Sequence, residues 1–201
     1  MTPQALLKIC PATLLALGLL MARPSMALEI EHVQVRFHDG EYQLTMSATL
    51  AAPLPKVESV LRDYAHYPQL DARILNAQVL KHVNATQLEL MTRINVCFSF
   101  LCRKVERVER VEERPGELLA TVIPERSDAE RGSTHTQLSA QGDRTRVEYS
   151  TQIVPKFWVP ALFGRALMLR SLRDATVTLF EHIEQRAAQT SRNPSAGDDR
   201  S

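Results

Sequence analysis

Residues 51–70 read Ala51-Ala52-Pro53-Leu54-Pro55-Lys56-Val57-Glu58-Ser59-Val60-Leu61-Arg62-Asp63-Tyr64-Ala65-His66-Tyr67-Pro68-Gln69-Leu70. Pro53 and Pro55 break an extended segment and suit a helix's first turn, where the missing N–H would be unpaired anyway. Val57, Val60, Leu61 and Tyr64 then recur at i, i+3, i+4 and i+7, which lays one apolar stripe along a short helix. Pro68 ends that region, so Tyr67 to Asp71 is expected to form a turn or a second short helix.

Outward from this segment the period changes from helical to two. Upstream, Val33, Val35 and Phe37 alternate as far as Asp39-Gly40, a dipeptide favoured in two-residue hairpin turns. Tyr42, Leu44, Met46, Ala48 and Leu50 then alternate with polar neighbours, so residues 31–50 read as a hairpin. Downstream, strands are expected over 74–83, 88–100, 117–123, 131–140 and 146–153. Leu88, Leu90, Ile94, Val96, Phe98 and Phe100 share one parity, and Val147, Tyr149, Thr151 and Ile153 share another. Between Lys104 and Arg114, valines recur every third residue among Glu and Arg, a pattern that suits helix or strand. Its place between strands favours a solvent-exposed strand with a charge-paired face. Pro160 opens a long helical pattern in which Leu162, Ala166, Leu169, Thr176, Phe180 and Ile183 mark one face, widened by Phe163, Leu167 and Leu172. After about Ala188 the composition becomes that of a disordered tail, 189–201.

The sequence Ala51 to Val57, followed by Leu61-Arg62-Asp63-Tyr64-Ala65-His66-Tyr67-Pro68, resembles the entry segment of the START-like (SRPBCC) superfamily, in its polyketide-cyclase and coenzyme-Q-binding branch. The resemblance covers roughly Tyr42 to Ala187 and rests on the order of its parts: strand, Pro-flanked helix, antiparallel strands, closing helix. It implies an α+β helix-grip fold, a curved antiparallel sheet wrapped around a long C-terminal helix, with a cavity for an apolar ligand between them. The chain departs from that pattern in an added N-terminal strand, in the pair Cys97 and Cys102, and in its first residues.

Those first residues set the expected compartment. Lys8 precedes a mostly apolar stretch, Ile9 to Ala22, followed by Arg23, Pro24 and the small-x-small triplet Ser25-Met26-Ala27. This is the layout of a signal peptide, residues 1–27, cleaved near Ala27, and it is shorter than a bilayer span requires. The expected domain then occupies 28–188, in the periplasm or outside the cell. The 201 residues carry 24 Lys and Arg against 23 Asp and Glu, net +1, which gives no basic excess for a nucleic-acid partner. Two cysteines beyond the leader suit a disulfide in an oxidising space, with buried free thiols as the alternative. A bond between them closes a very short loop, worth about 2 kcal/mol on the chain-entropy estimate.

The expected cavity lining comprises Leu90, Ile94, Val96, Phe98, Tyr149, Thr151, Trp158, Phe163, Ala166 and Leu167, with simple core packing the equal alternative for Trp158 and Phe163. A pocket of at least a few hundred Å³ is expected, the usual size of small-molecule sites. Arg165, Arg170 and Arg173 flank the most apolar part of the last helix. They read either as a headgroup contact, which would allow a transient meeting with a membrane surface, or as ordinary surface arginines. The six histidines show no metal-ligand spacing, and no nucleophile motif accompanies them. Asp63, Tyr64 and His66 are better read as helix-end and packing residues than as an acid–base group. No catalytic residue, metal or cofactor is therefore expected. The first expectation is a carrier or sensor of a lipid, quinone-like or other small hydrophobic molecule. A cyclase- or hydrolase-like enzyme would need a buried acid–base pair facing the cavity, and an interaction module would fill the cavity with its own side chains.

Overall fold

The computed structural model describes residues 28–98, 101–159 and 164–192. Strands β1 (Glu29–His38) and β2 (Glu41–Leu50) form the expected hairpin. Asp39 and Gly40 between them both have positive φ, 49° and 82°, as a two-residue primed turn requires. The proline-flanked segment is helix α1 (Leu54–Arg62), and Tyr67–Leu70 is the short helix α2. The chain continues through β3 (Ile74–His82), β4 (Gln87–Phe98), β5 (Leu101–Arg114), β6 (Glu117–Val122), β7 (Ala129–Gln141) and β8 (Arg144–Pro155) into helix α3 (Gly164–Arg192).

All the strand pairs are antiparallel, and the curved sheet runs β1-β2-β8-β7-β6-β5-β4-β3. The long crossing from β2 to β3 is made by α1 and α2, so β2 pairs with β8 and the helices lie over the sheet. Leu44, Met46, Ala48 and Leu50 of β2 meet Val57 and Leu61 of α1 and Phe180, Ile183 and Ala187 of α3 in one buried cluster. Polar bonds tie the helices to the turns. The Ala51 amide donates to Glu184 (2.7 Å), and the Gly116 amide donates to Glu58 (2.6 Å). Gly116 sits at φ +70°, and a Cβ there would lie 2.9 Å from the Leu138 carbonyl, so this turn requires glycine.

Residues 104–114 do form a strand, and Lys104, Arg110 and Arg114 on it are exposed, but its middle is largely buried. Val105 and Val111 are buried on the face toward the helices, and Val108 is buried on the opposite face. The outer burial comes from the loop after β6: the Val108 amide donates to Ser127 Oγ at 2.9 Å, and the Ser127 hydroxyl returns a bond to the Val108 carbonyl. Beside it Glu89 is held between Lys81 (3.1 Å) and Arg126 (2.6 Å). A valine at every third position is thus a strand with both faces covered around Val108.

Helix α3 runs past Ala188 to Arg192, because no residue there breaks it. Pro194, which disfavours helix in the residue before it, comes only afterwards. Its buried stripe is confined to the second half, Thr176, Phe180, Ile183 and Ala187. Ala166 is exposed. Cys97 and Cys102 stand directly opposite each other on β4 and β5 and form the disulfide. Their Cα atoms are 4.0 Å apart, shorter than the 4.4 to 6.8 Å usual for disulfides. Directly opposed residues in a non-hydrogen-bonded antiparallel pair already lie near 4.5 Å.

Candidate functional site

A partly enclosed cavity of about 140 Å³ lies between the middle of the sheet and the helices. Its apolar wall is Leu61 of α1, Leu70 of α2, Leu90 and Ile94 of β4, Val111 of β5, Leu118 and Ala120 of β6, and Leu179, Phe180 and Ile183 of α3. It is smaller than the few hundred Å³ expected, because aromatic rings occupy the space. Tyr64 meets Tyr67 edge-on at 5.4 Å between centroids, and Tyr149 meets Phe180 edge-on at 5.3 Å.

Polar groups converge on one side of this apolar wall. Arg107 and Glu109 of β5 line the cavity with Thr92, Thr134, Thr136 and the three tyrosines. The Glu109 side chain is 3% exposed and that of Arg107 26%, with Arg107 Nε 2.9 Å from Glu109 Oε2. The Nε–H does not point along that line, so this buried donor makes no hydrogen bond among the described residues. Two positions further along the same face, Glu113 accepts a bond from the Tyr64 hydroxyl at 2.5 Å. The Tyr67 hydroxyl donates to the Leu61 carbonyl at 2.6 Å.

Burial pushes the tyrosine hydroxyls of Tyr64 and Tyr67 well above their ordinary value of 10.0, reinforced by nearby carboxylates. Tyr42 and Tyr149 are raised as well, again chiefly by burial. All four tyrosines of the chain are therefore neutral donors, not bases, across the physiological range. A spectrophotometric titration of the native protein is expected to show little tyrosinate at pH 10, where free tyrosine is half ionised. The unfolded chain loses these protons first, so stability is full below about pH 10 and falls as pH rises beyond it. Ordinary tyrosine titration in protein that is still folded would contradict this.

Of the residues expected to line the cavity, Leu90, Ile94 and Tyr149 do so. Thr151 bonds Thr134 across β7 and β8 at 2.9 Å, one step from the lining. Val96 lies on β4 beyond Ile94, outside the lining. Leu167 is half-buried and Ala166 exposed, because the first half of α3 lies clear of the cavity. Trp158 is 80% exposed on the segment after β8 and lines no cavity wall. Phe163 and the side chain of Phe98 lie outside the described residues. Arg165 stacks over Phe37 at 4.3 Å, while Arg170 and Arg173 both reach Asp174 at 3.6 Å. Asp63 and His66 pair with each other at 2.6 Å at the end of α1, away from the lining.

The sequence reading missed Arg107 and Glu109, which it placed on a solvated face. A signal was present. Val105 and Val111 share a parity, so the residues between them at 107 and 109 point the same way.

No protein-family model matches the chain, and no curated protein matches it in sequence. Solved structures match in shape. The Zhui aromatase/cyclase from Streptomyces sp. R1128 superposes with a TM-score of 0.65 at 13% identity, over 77% of this chain and 98% of that one. The STAR-related lipid transfer protein from Xanthomonas axonopodis gives 0.62 at 14% identity, over 82% and 100%. The fold is START-like. Human STARD10 shares it with a TM-score of 0.55 at 10% identity, over 81% and 77%. The α+β helix-grip expectation holds, and the START-like sheet and closing helix are the elements that enclose the cavity.

Proposed function

We propose that this START-like domain binds a small hydrophobic molecule, lipid or quinone-like, that carries one hydrogen-bond-accepting end. The observation that carries this reading is the Arg107–Glu109 ion pair on one side of a cavity with an apolar wall, where the buried Arg107 Nε–H makes no hydrogen bond among the described residues. An unmade buried hydrogen bond costs about 1 to 3 kcal/mol, and a ligand oxygen placed there would relieve that cost. A cavity of about 140 Å³ takes the end of such a molecule, a group about the size of benzene. The remainder would lie along the mouth near Ile74 and Ile94. A STAR-related lipid transfer protein among the structural neighbours supports an apolar ligand. The leader-like residues 1–27 and the Cys97–Cys102 disulfide support action outside the cytoplasm.

A second reading has an observation of its own. A cyclase-like enzyme needs acid–base groups in the cavity, and Glu109, Arg107 and the neutral tyrosines supply a carboxylate, a cation and donors. Two aromatase/cyclases among the structural neighbours share the fold.

Ala120→Phe tests the proposal. Ala120 lies on the cavity wall, whereas a substitution at exposed Ala166 would fill nothing. The variant is expected to lose any lipid that native mass spectrometry finds on the wild type purified from its own envelope, with stability changed by less than about 1 kcal/mol. A closely filled core would instead lose about 1 to 3 kcal/mol on overpacking. That loss, together with a wild type that retains no ligand, would count against the proposal. Incubating the extracted ligand with the protein separates the two readings: an unchanged mass fits a carrier, and loss of water fits a cyclase.

A further inference from the structure

One end of the sheet gathers features that the cavity does not use. The strand registers bring together there the turn after β1, the ends of β4 and β8, and the start of β5, and α3 begins beside them. Trp158, at 80% exposure, is the most exposed of the large hydrophobic side chains among the described residues. At the same end of the sheet stand cations that make no ion pair with a carboxylate among the described residues. Arg103 lies over the Phe157 ring at 5.4 Å, and Arg165 lies over Phe37 at 4.3 Å. Lys104 is exposed opposite Asn95 and makes no ion pair among the described residues. Phe37, Phe157 and Arg165 line one shallow depression, which ties the two aromatic–cation contacts into a single surface. Of the nearby carboxylates Glu41 pairs with Arg131, while Asp39, beside His38, and Glu130 line the same depression as Arg165.

We propose that this end of the domain docks on a membrane surface carrying anionic headgroups, with Trp158 entering the interface and Arg103, Lys104 and Arg165 contacting phosphates. Exposed tryptophan prefers the headgroup level, where its ring is half solvated. Basic side chains add attraction to an anionic leaflet that falls off within a Debye length. The Cys97–Cys102 bond ties the end of β4 to the start of β5, so Arg103 and Lys104 are presented on a cross-linked strand. This surface keeps Arg165 of the arginine set expected from the sequence but not Arg170 and Arg173. Arg170 and Arg173 share Asp174, and the free cations are on β5 and at the start of α3.

Trp158 is the chain's one tryptophan, so its emission reports the event directly. The full chain is titrated with vesicles of phosphatidylcholine alone and of phosphatidylcholine with phosphatidylglycerol. A blue shift and quenching by bilayer-bound bromolipid are expected on the anionic vesicles only, and both should weaken with added salt. Arg103→Gln with Lys104→Gln should lower the apparent affinity about 30-fold, from roughly fivefold per basic side chain at an anionic surface. Both residues are exposed, so the variant should keep its circular dichroism spectrum and melting temperature. The comparison shares its first 27 residues with the wild type, so binding by that apolar stretch cancels. Unchanged emission on anionic vesicles would overturn the proposal, as would equal shifts on both vesicle types or an unaffected double variant. An equal shift with soluble polyglutamate would overturn it in favour of an acidic protein partner. None of these readouts depends on whether the cavity holds a ligand.

Discussion

Phe180→Ala is expected to lower the folding free energy by about 3 to 5 kcal/mol, the range for removing a large aromatic side chain from a core. Phe180 is 1% exposed, packs edge-on against Tyr149 and sits in the same cluster as Ile183 and Leu44. It is also a wall of the cavity, so truncation should join the lost volume to the existing space instead of collapsing it. Two measurements check this. Urea unfolding should show a lower midpoint with an unchanged slope, since the surface exposed on unfolding barely changes. Added indole or benzene should then recover part of the stability, because a ligand that binds only the folded state stabilises in proportion to its occupancy. A loss below about 1 kcal/mol would mean that α3 does not grip the sheet at Phe180.

Glu109→Ala is expected to cost about 3 kcal/mol, at the low end for breaking a buried ion pair because Arg107 keeps some access to water. The removed carboxylate leaves the guanidinium facing an apolar wall. Replacing both partners, Arg107→Met with Glu109→Leu, should restore stability to the wild-type value or above it, because neither desolvation cost then remains. The double variant should nevertheless lose the ligand, since the unpaired Nε–H goes with Arg107. Guanidinium melts and mass spectrometry of extracted ligand read the two effects separately. Ligand retention by the stable double variant would assign the pair a purely structural role.

How far the sequence was legible varied with how local the signal was. The β1–β2 hairpin is written in its alternation and its Asp-Gly turn, and α1 in its prolines and its stripe at 57, 60, 61 and 64. Those patterns need only one face in and one face out. Strand β5 was harder, because its outer face at Val108 is covered by a loop nineteen residues on. Nothing in Lys104 to Arg114 itself tells that Val108 will meet Ser127. The lining was legible where it lay on strands of regular parity, at Leu90, Ile94 and Tyr149. It failed on α3, where periodicity names a face but not how much of the helix length is used.

The sequence alone determined the order of elements, the hairpin and the proline-flanked helix, because each follows from backbone preference and a short-range period, and that order is what resembles the START-like helix grip. The tertiary structure alone decided what the cavity contains. Sheet curvature brings β5 under the helices, which turns Arg107 and Glu109 from surface charges into a buried pair, and four aromatic rings set the volume at about 140 Å³. The placement of Trp158 is likewise tertiary. A tryptophan after a strand can pack inward or stand free, and only the path of the chain out of β8 leaves it in solvent, next in sequence to Phe157, over whose ring Arg103 lies.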